Sequence, residues 1–181
     1  MKIKNSILLS IITICLHGMA SGQPRAIIPE IRNNVSYISS SYMPSSYGIS
    51  YHPINAGDQS LFTWWSPTTQ DKESCWLQIN YDNPKTLNYI DIHAGSHYPS
   101  FKNMGDLYFK NLRIKIAQLE FSDGSTVLIN LLDVDDVQRQ YFKTKSTTYI
   151  RLRPLRYYPS TKWNDPCVSL FNSGYENHFA K

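Results

Sequence analysis

Short segments in which apolar and polar residues alternate, separated by turn-forming residues, recur along most of this 181-residue chain. In residues 74–81, Cys75, Leu77 and Ile79 fall on one side of an extended chain and polar residues mostly on the other. A period of two is typical of a half-buried β-strand. We predict six such strands, at residues 74–81, 87–94, 111–121, 126–132, 147–155 and 166–171.

The residues between these segments predict how the strands are connected. Asp123-Gly124, between the third and fourth strands, is typical of a tight β-hairpin. Asp82-Asn83-Pro84, between the first and second, predicts another turn. Only residues 134–142 show a helical pattern, for one or two turns, and an acidic surface loop is the alternative there. Many strands with few helices predict an all-β fold, an antiparallel β-sandwich or jelly roll.

The N-terminus has the pattern of an export signal. Lys2 and Lys4 precede an apolar run at residues 7–16, and small residues follow up to Gly22. The run is too short to cross a bilayer as a helix. We therefore expect a secreted or periplasmic protein without a membrane span after processing. The expected organisation is a signal peptide at 1–22, a lead-in segment at 23–40, a single domain at 41–175 and a tail at 176–181.

Two cysteines, Cys75 and Cys167, follow the predicted cleavage site. An even number of cysteines in an oxidising compartment favours a disulfide between them. Two buried free thiols are the alternative.

The charge of the processed chain argues against a nucleic-acid partner. The whole chain has 18 basic and 14 acidic residues, and cleavage after Gly22 removes Lys2 and Lys4. The remaining charges nearly balance, so no strong long-range attraction to phosphates is expected.

The sequence contains no familiar catalytic motif: no Gly-x-Ser-x-Gly, no glycine-rich phosphate loop and no His-Glu-x-x-His. His93 and His97 flank Gly95 at a predicted strand end, where a spacing of four separates side chains, so no metal site is expected from them. We therefore predict a non-enzymatic protein without a cofactor.

An acidic cluster comprises Asp133, Asp135 and Asp136. It lacks the glycine and the twelfth-position glutamate of an EF-hand calcium loop. We interpret it as a solvated turn.

Aromatic residues are abundant, with 13 Tyr, 4 Trp and 7 Phe, and several lie in predicted loops. Aromatic faces pack against the C–H groups of sugars, while polar side chains bond the hydroxyl groups. Trp65 and Trp76 are expected in the core instead, because most Trp residues of small β domains are largely buried.

Several motifs together resemble a known family. Residues 51–58 (YHPINAGD) followed by Thr63-Trp64-Trp65 resemble the opening of discoidin-like (coagulation-factor type C) domains. Residues 109–115, 121–124 and 158–169 are similar to the glycan-binding domain attached to bacterial NAD glycohydrolases. The resemblance covers approximately residues 47–171.

The resemblance implies a galactose-binding-like jelly roll whose loops at one end form a carbohydrate site. It implies no NAD cleavage, because the matched motifs belong to the glycan-binding domain. The family has an acidic residue after Ser169, which in related modules holds a structural calcium together with the aspartate of the opening turn, here Asp58. This chain has Leu170 there, which argues against calcium.

We therefore predict an exported, non-catalytic carbohydrate-binding module whose partner is a glycan or a cell-surface polysaccharide. The alternative is a secreted protein–protein interaction module, such as a toxin-associated or envelope component, with the same aromatics contacting a protein. The candidate site residues are Trp64, His97, Tyr98, Tyr108, Asn111, Arg113, Lys162 and Trp163.

Overall fold

A computed structural model describes residues 35–177, which form six β-strands and three short 3-10 helices. The predicted signal peptide and residues 178–181 lie outside this range. No helix within residues 35–177 has the length and apolar character needed to cross a membrane. The strands are β1 (Val35–Ser39), β2 (Leu77–His93), β3 (Arg113–Phe121), β4 (Thr126–Asn130), β5 (Gln138–Tyr158) and β6 (Leu170–Gly174). The 3-10 helices are Pro53–Ala56, Thr69–Asp71 and Lys102–Met104.

All strand pairs are antiparallel, in the order β1-β2-β5-β3-β4 with β6 beside β2. The two long strands β2 and β5 organise the fold, because each changes partner along its length. The first part of β2 pairs with β1, and its last part pairs with β6. The last part of β5 pairs with β3. The predicted all-β, single-domain architecture is confirmed.

The predicted turn at Asp82-Asn83-Pro84 is wrong, because these residues lie inside the continuous strand β2. The β2–β5 pairing shifts its register between Asn80 and Lys85. Proline, which has no N–H to donate, is tolerated in a strand where the hydrogen-bond ladder is interrupted. The helical turn considered for residues 134–142 is also wrong, since β5 begins at Gln138.

The Asp-Gly hairpin between β3 and β4 is confirmed. Gly124 has a φ of 78°, in the left-handed region that glycine adopts without strain. Its N–H donates to the Phe121 carbonyl oxygen at 2.9 Å, and Asp123 Oδ1 accepts from the Ser125 N–H at 2.9 Å.

The strand face predicted from Cys75, Leu77 and Ile79 is buried in the core. Trp65 is fully buried, as predicted. Trp76 is not a core residue: it is half-buried, and the Arg151 guanidinium lies 4.3 Å from its ring centroid. A cation over the face of a tryptophan is favourable at a partly exposed site.

The first described strand belongs to the segment that we interpreted as a lead-in. The hydroxyl of Tyr37, in β1, lies 3.0 Å from the Phe171 carbonyl oxygen and 2.8 Å from Asn172 Oδ1. The folded domain therefore includes residues from Val35 onward rather than from residue 41.

The predicted disulfide is wrong, and the two free thiols are confirmed. Cys75 belongs to the main core, where its Sγ lies 3.4 Å from the Lys72 carbonyl oxygen. Cys167 belongs to a second hydrophobic cluster, around Tyr51 and Trp64. A disulfide requires the two Cβ atoms to be about 4 Å apart, and an even cysteine count carries no information on that distance.

We expect both thiols to react slowly with iodoacetamide in the native protein and rapidly after unfolding. Burial raises the pKa of both thiols, so the reactive thiolate is scarce, and neither is open to reagent. Mass spectrometry of the alkylated protein, without reductant, measures this. A disulfide-linked Cys75–Cys167 peptide pair that is present in the unreduced digest and disappears on reduction would contradict the structure.

Candidate binding site

A pocket with a volume of about 320 Å³ lies between three loops that connect the strands. Its walls come from residues 43–51, 101–111 and 162–167, together with Trp64. The pocket is lined in part by a hydrophobic cluster separate from the main core, which includes Tyr51, Phe101 and Leu107.

Trp64 and Tyr51 form one wall, with their ring centroids 6.0 Å apart in an edge-on arrangement. Asn55, in the Pro53–Ala56 helix, holds the two loops together. Its amide Nδ2 donates to the carbonyl oxygens of Ser50, at 2.6 Å, and of Trp64, at 3.2 Å. A buried amide that bonds two loops in this way fixes the wall before any ligand arrives.

Trp163 and Lys162 also line the pocket. The backbone N–H of Trp163 donates to the Lys110 carbonyl oxygen at 2.7 Å. This bond anchors the loop to the segment before β3. The Trp163 ring is only partly buried. The Lys162 Nζ lies 4.4 Å from the centroid of that ring, so the wall presents an aromatic surface beside a cation.

Polar groups lie among the aromatic walls. Asp165 and Asn111 line the pocket, and the Ser46 and Tyr51 hydroxyls are 3.0 Å apart. Burial raises the pKa of Tyr51, so its hydroxyl stays neutral and can both donate and accept a hydrogen bond. The pocket therefore combines flat apolar surfaces with donors and acceptors of both charge signs.

A short hairpin closes one side of the pocket, with mutual backbone hydrogen bonds between Ser46 and Ile49. At its tip, Tyr47 and Gly48 both have positive φ, 53° and 78°. The Tyr47 side chain is 75% exposed, and its carbonyl oxygen accepts from the Lys102 Nζ at 2.9 Å.

Comparison with solved structures identifies the fold that carries this pocket. A CBM32 module from Clostridium perfringens, in complex with GalNAc-β-1,3-galactose, superposes with a TM-score of 0.59 and 16% identity, over 77% of this chain and 94% of that one. The family 32 carbohydrate-binding module of NanJ from C. perfringens, in complex with galactose, gives 0.57 and 13%, over 77% and 92%. The chain has the galactose-binding-like jelly-roll fold.

A chitosan-binding module from Paenibacillus sp., in complex with chitotriose, shares this jelly roll at a TM-score of 0.54 and 10% identity, over 77% of this chain and 95% of that one. A scan against protein-family models gives no match, and neither does a search of the curated proteins.

Four of the eight sequence-predicted site residues meet at the jelly-roll pocket: Trp64, Asn111, Lys162 and Trp163. Tyr98 packs against the hydrophobic cluster that lines the pocket, and its ring centroid is 4.8 Å from that of Phe101. Sequence reasoning missed Tyr51, Phe101 and residues 43–49. The sequence feature that indicates residues 43–49 is the concentration of Tyr, Ser and Pro before residue 51. This stretch has no strand periodicity.

Tyr108 and Arg113 are not placed to contact a ligand. Tyr108 is 1% exposed, and its hydroxyl donates to the Val134 carbonyl oxygen at 2.6 Å. Arg113 is 4% exposed and forms a bidentate ion pair with Asp133, with both N···O distances at 2.9 Å. Both residues hold the jelly roll together, and we correct their assignment to the site.

The expectation that His93 and His97 are separated is wrong. Their ring centroids are 5.8 Å apart, and both rings contact Asp135. The chain turns at Gly95, where a Cβ would lie 2.5 Å from the Tyr108 ring, so only glycine allows this close approach. His97 therefore lies beside His93 and Asp135 and is not among the residues that line the pocket.

The acidic cluster is likewise not a solvated turn. Asp133 pairs with Arg113, and Asp135 bonds the two histidines. The Asp58 carboxylate, considered for calcium, accepts from the Ser60 N–H at 2.8 Å and from the Thr63 hydroxyl at 2.6 Å.

Proposed function

We propose that this protein is an exported, non-catalytic carbohydrate-binding module whose ligand, a glycan or cell-surface polysaccharide, binds in the pocket between Trp64 and Trp163. The observation that carries the proposal is the partly exposed Trp163 ring, which faces a pocket that also contains Lys162 and Asp165. Neighbouring structures of the same fold are carbohydrate-binding modules, which supports it. The order of motifs from residue 51 to residue 169 further suggests the glycan-binding domains attached to NAD glycohydrolases as the nearest relatives.

The chemistry of the pocket suits a sugar in two respects. The partly exposed Trp163 ring offers an apolar face for the C–H side of a pyranose, whereas Trp64 lines the pocket as a packed side chain that is 3% exposed. Lys162 and Asp165 lie near enough to bond its hydroxyl groups, the first as a donor and the second as an acceptor.

The size of the pocket suggests how much ligand it takes. Its volume of about 320 Å³ is at the low end of known ligand pockets. We therefore propose that it holds one or a few sugar units rather than a long stretch of polymer. A small site with partly exposed polar contacts gives a dissociation constant on the order of 0.1–1 mM.

Replacement of Trp163 by alanine is expected to weaken sugar binding by about tenfold or more, because the central aromatic contact is lost. A glycan array at protein concentrations suited to millimolar affinity identifies the ligand, and titration calorimetry then measures the change. Trp76→Ala is the matched control, since it removes a half-buried indole that does not line the pocket and lies under Arg151. Its affinity should equal that of the wild type.

Two results would count against the proposal. One is an array without any bound sugar under these conditions. The other is a Trp163→Ala protein that melts like the wild type and binds the sugar equally well.

A further inference from the structure

We propose that His93, His97 and Asp135 form a binding site for a divalent transition-metal ion such as Zn²⁺. One ligand atom from each residue lies within 4.8 Å of the others. His93 Nε2 is 2.8 Å from Asp135 Oδ1, and His97 Nδ1 is 3.0 Å from the same oxygen. Two imidazole nitrogens and a carboxylate form a typical zinc ligand set, to which a solvent molecule adds a fourth ligand.

The surroundings of His93 support a cation at this place. Its ring is fully buried, and Nδ1 lies 3.3 Å from the Gly95 carbonyl oxygen while Nε2 faces the carboxylate. Both nitrogens thus face oxygens that only accept hydrogen bonds, and a neutral imidazole has one N–H. With Nδ1–H donated to the carbonyl, the lone pair of Nε2 is directed at Asp135, and a metal ion between them satisfies both. A backbone carbonyl that accepts from the second ring nitrogen is also the usual partner of a metal-bound histidine.

The loop that carries Asp135 is held firmly in place. Arg113 binds the neighbouring Asp133 through two hydrogen bonds, and the Tyr108 hydroxyl donates to the carbonyl oxygen of Val134. The carboxylate of Asp135 is therefore positioned by contacts on both preceding residues. A ligand fixed in advance in this way loses little conformational freedom when an ion binds.

The segment that carries His97 is held as well. The Ser169 hydroxyl donates to the Gly95 carbonyl oxygen at 2.7 Å and accepts from the His97 N–H at 3.3 Å. The Phe62 ring packs beside the His97 ring, with centroids 5.5 Å apart. The side chains of His97 and Asp135 are 22% and 25% exposed, so the cluster is open to an ion from solution.

The donor set selects the kind of metal. Imidazole favours Zn²⁺ and the neighbouring first-row ions, whereas Ca²⁺ prefers six to eight oxygen ligands. Each of the three residues offers one ligand atom within the cluster, and two of those atoms are nitrogens. We expect Zn²⁺ and Co²⁺ to bind and Ca²⁺ not to compete.

The test is titration of the purified, untagged and chelator-treated protein with ZnCl₂ by calorimetry, and with CoCl₂ by visible absorption. The expected result is one saturating ion per chain and a Co²⁺ spectrum that persists in excess Ca²⁺. Asp135→Asn and His97→Gln are each expected to weaken Zn²⁺ binding by about tenfold or more, since each removes one of three ligands. His52→Gln, at an exposed histidine outside the cluster, is the matched control and should bind as the wild type does.

Absence of saturable Zn²⁺ and Co²⁺ binding would overturn the proposal and leave the cluster as a hydrogen-bond network. So would unchanged binding in Asp135→Asn, a variant of nearly the same shape. The circular dichroism spectrum and melting temperature of each variant are compared with those of the wild type. A variant that folds normally but binds the ion weakly has lost a ligand rather than its fold. Because none of the three residues lines the sugar pocket, Trp163→Ala should keep its metal affinity, and the two proposals can fail independently.

Discussion

Arg113→Met is expected to lower the free energy of unfolding by about 3 kcal/mol, because it breaks the ion pair of a buried guanidinium with the partly exposed Asp133 and removes a donor from backbone carbonyl oxygens. The guanidinium lies near both the Tyr108 and Phe109 rings, 5.5 and 5.2 Å from their centroids. It pairs with Asp133, and its Nη1 also donates to the Asn111 and Pro159 carbonyl oxygens at 3.0 and 2.8 Å. Chemical denaturation at neutral pH measures the loss.

Arg156→Met is the matched control for this prediction. Arg156 lies on β5 and is exposed, and surface substitutions of this kind usually change stability by no more than about 0.5 kcal/mol. Equal stability of the two variants would mean that the ion pair and carbonyl contacts of Arg113 do not hold the loops together.

Trp65→Ala is expected to cost about 3–5 kcal/mol, the usual range for removing a large aromatic side chain from a core. Trp65 is fully buried, its indole Nε1 donates to the Ser41 carbonyl oxygen at 2.9 Å, and its backbone pairs with Val168. The substitution therefore leaves a large cavity and removes one of the two hydrogen bonds that the Ser41 carbonyl oxygen accepts, the other coming from the Ser39 hydroxyl.

The control for Trp65→Ala is Trp76→Ala, because both remove an indole from the same domain. Trp76 is half-buried under Arg151, so its loss should cost only about 1 kcal/mol. Denaturation curves of the two proteins distinguish them directly. A Trp65→Ala protein as stable as the Trp76→Ala protein would contradict the placement of Trp65 in the core.

The sequence predicted those parts of the fold that depend on neighbouring residues. Alternation identified the buried face of Cys75, Leu77 and Ile79, and Asp123-Gly124 identified the β3–β4 hairpin. The turn at residues 82–84 was wrong because a proline is acceptable inside β2, where the register shifts. That shift depends on pairing with Thr147 and Tyr149 of β5, which lie more than 60 residues later in the chain.

The candidate site was harder to predict because its geometry depends on contacts between distant loops. Trp64, Lys162 and Trp163 were found as loop residues of the right chemistry, and the pocket brings them together. Arg113 also had the right chemistry, but its hydrogen-bonding capacity is used within the protein by Asp133. Spacing alone does not show which polar side chains are already occupied.

His93 and His97 are a second case in which sequence spacing alone does not predict the geometry. A spacing of four residues in extended chain separates side chains, and that reasoning holds only if the chain stays extended. The turn at Gly95 and the approach of Asp135, some 40 residues away, bring His93 and His97 together. Gly95 permits a turn, but neither the direction of that turn nor the approach of Asp135 has a signature in the local sequence.

The central claim is that the pocket between Trp64 and Trp163 binds a sugar, and nuclear magnetic resonance tests it most directly. The chain has 4 Trp residues, so the indole N–H signals of the ¹⁵N-labelled protein report on distinct places in the structure. During titration with the sugar that binds best on the array, we predict saturable shifts for Trp163 and Trp64 and an unmoved signal for Trp76. Saturable shifts at Trp76 with Trp163 unmoved, or no shifts at millimolar sugar, would contradict the account.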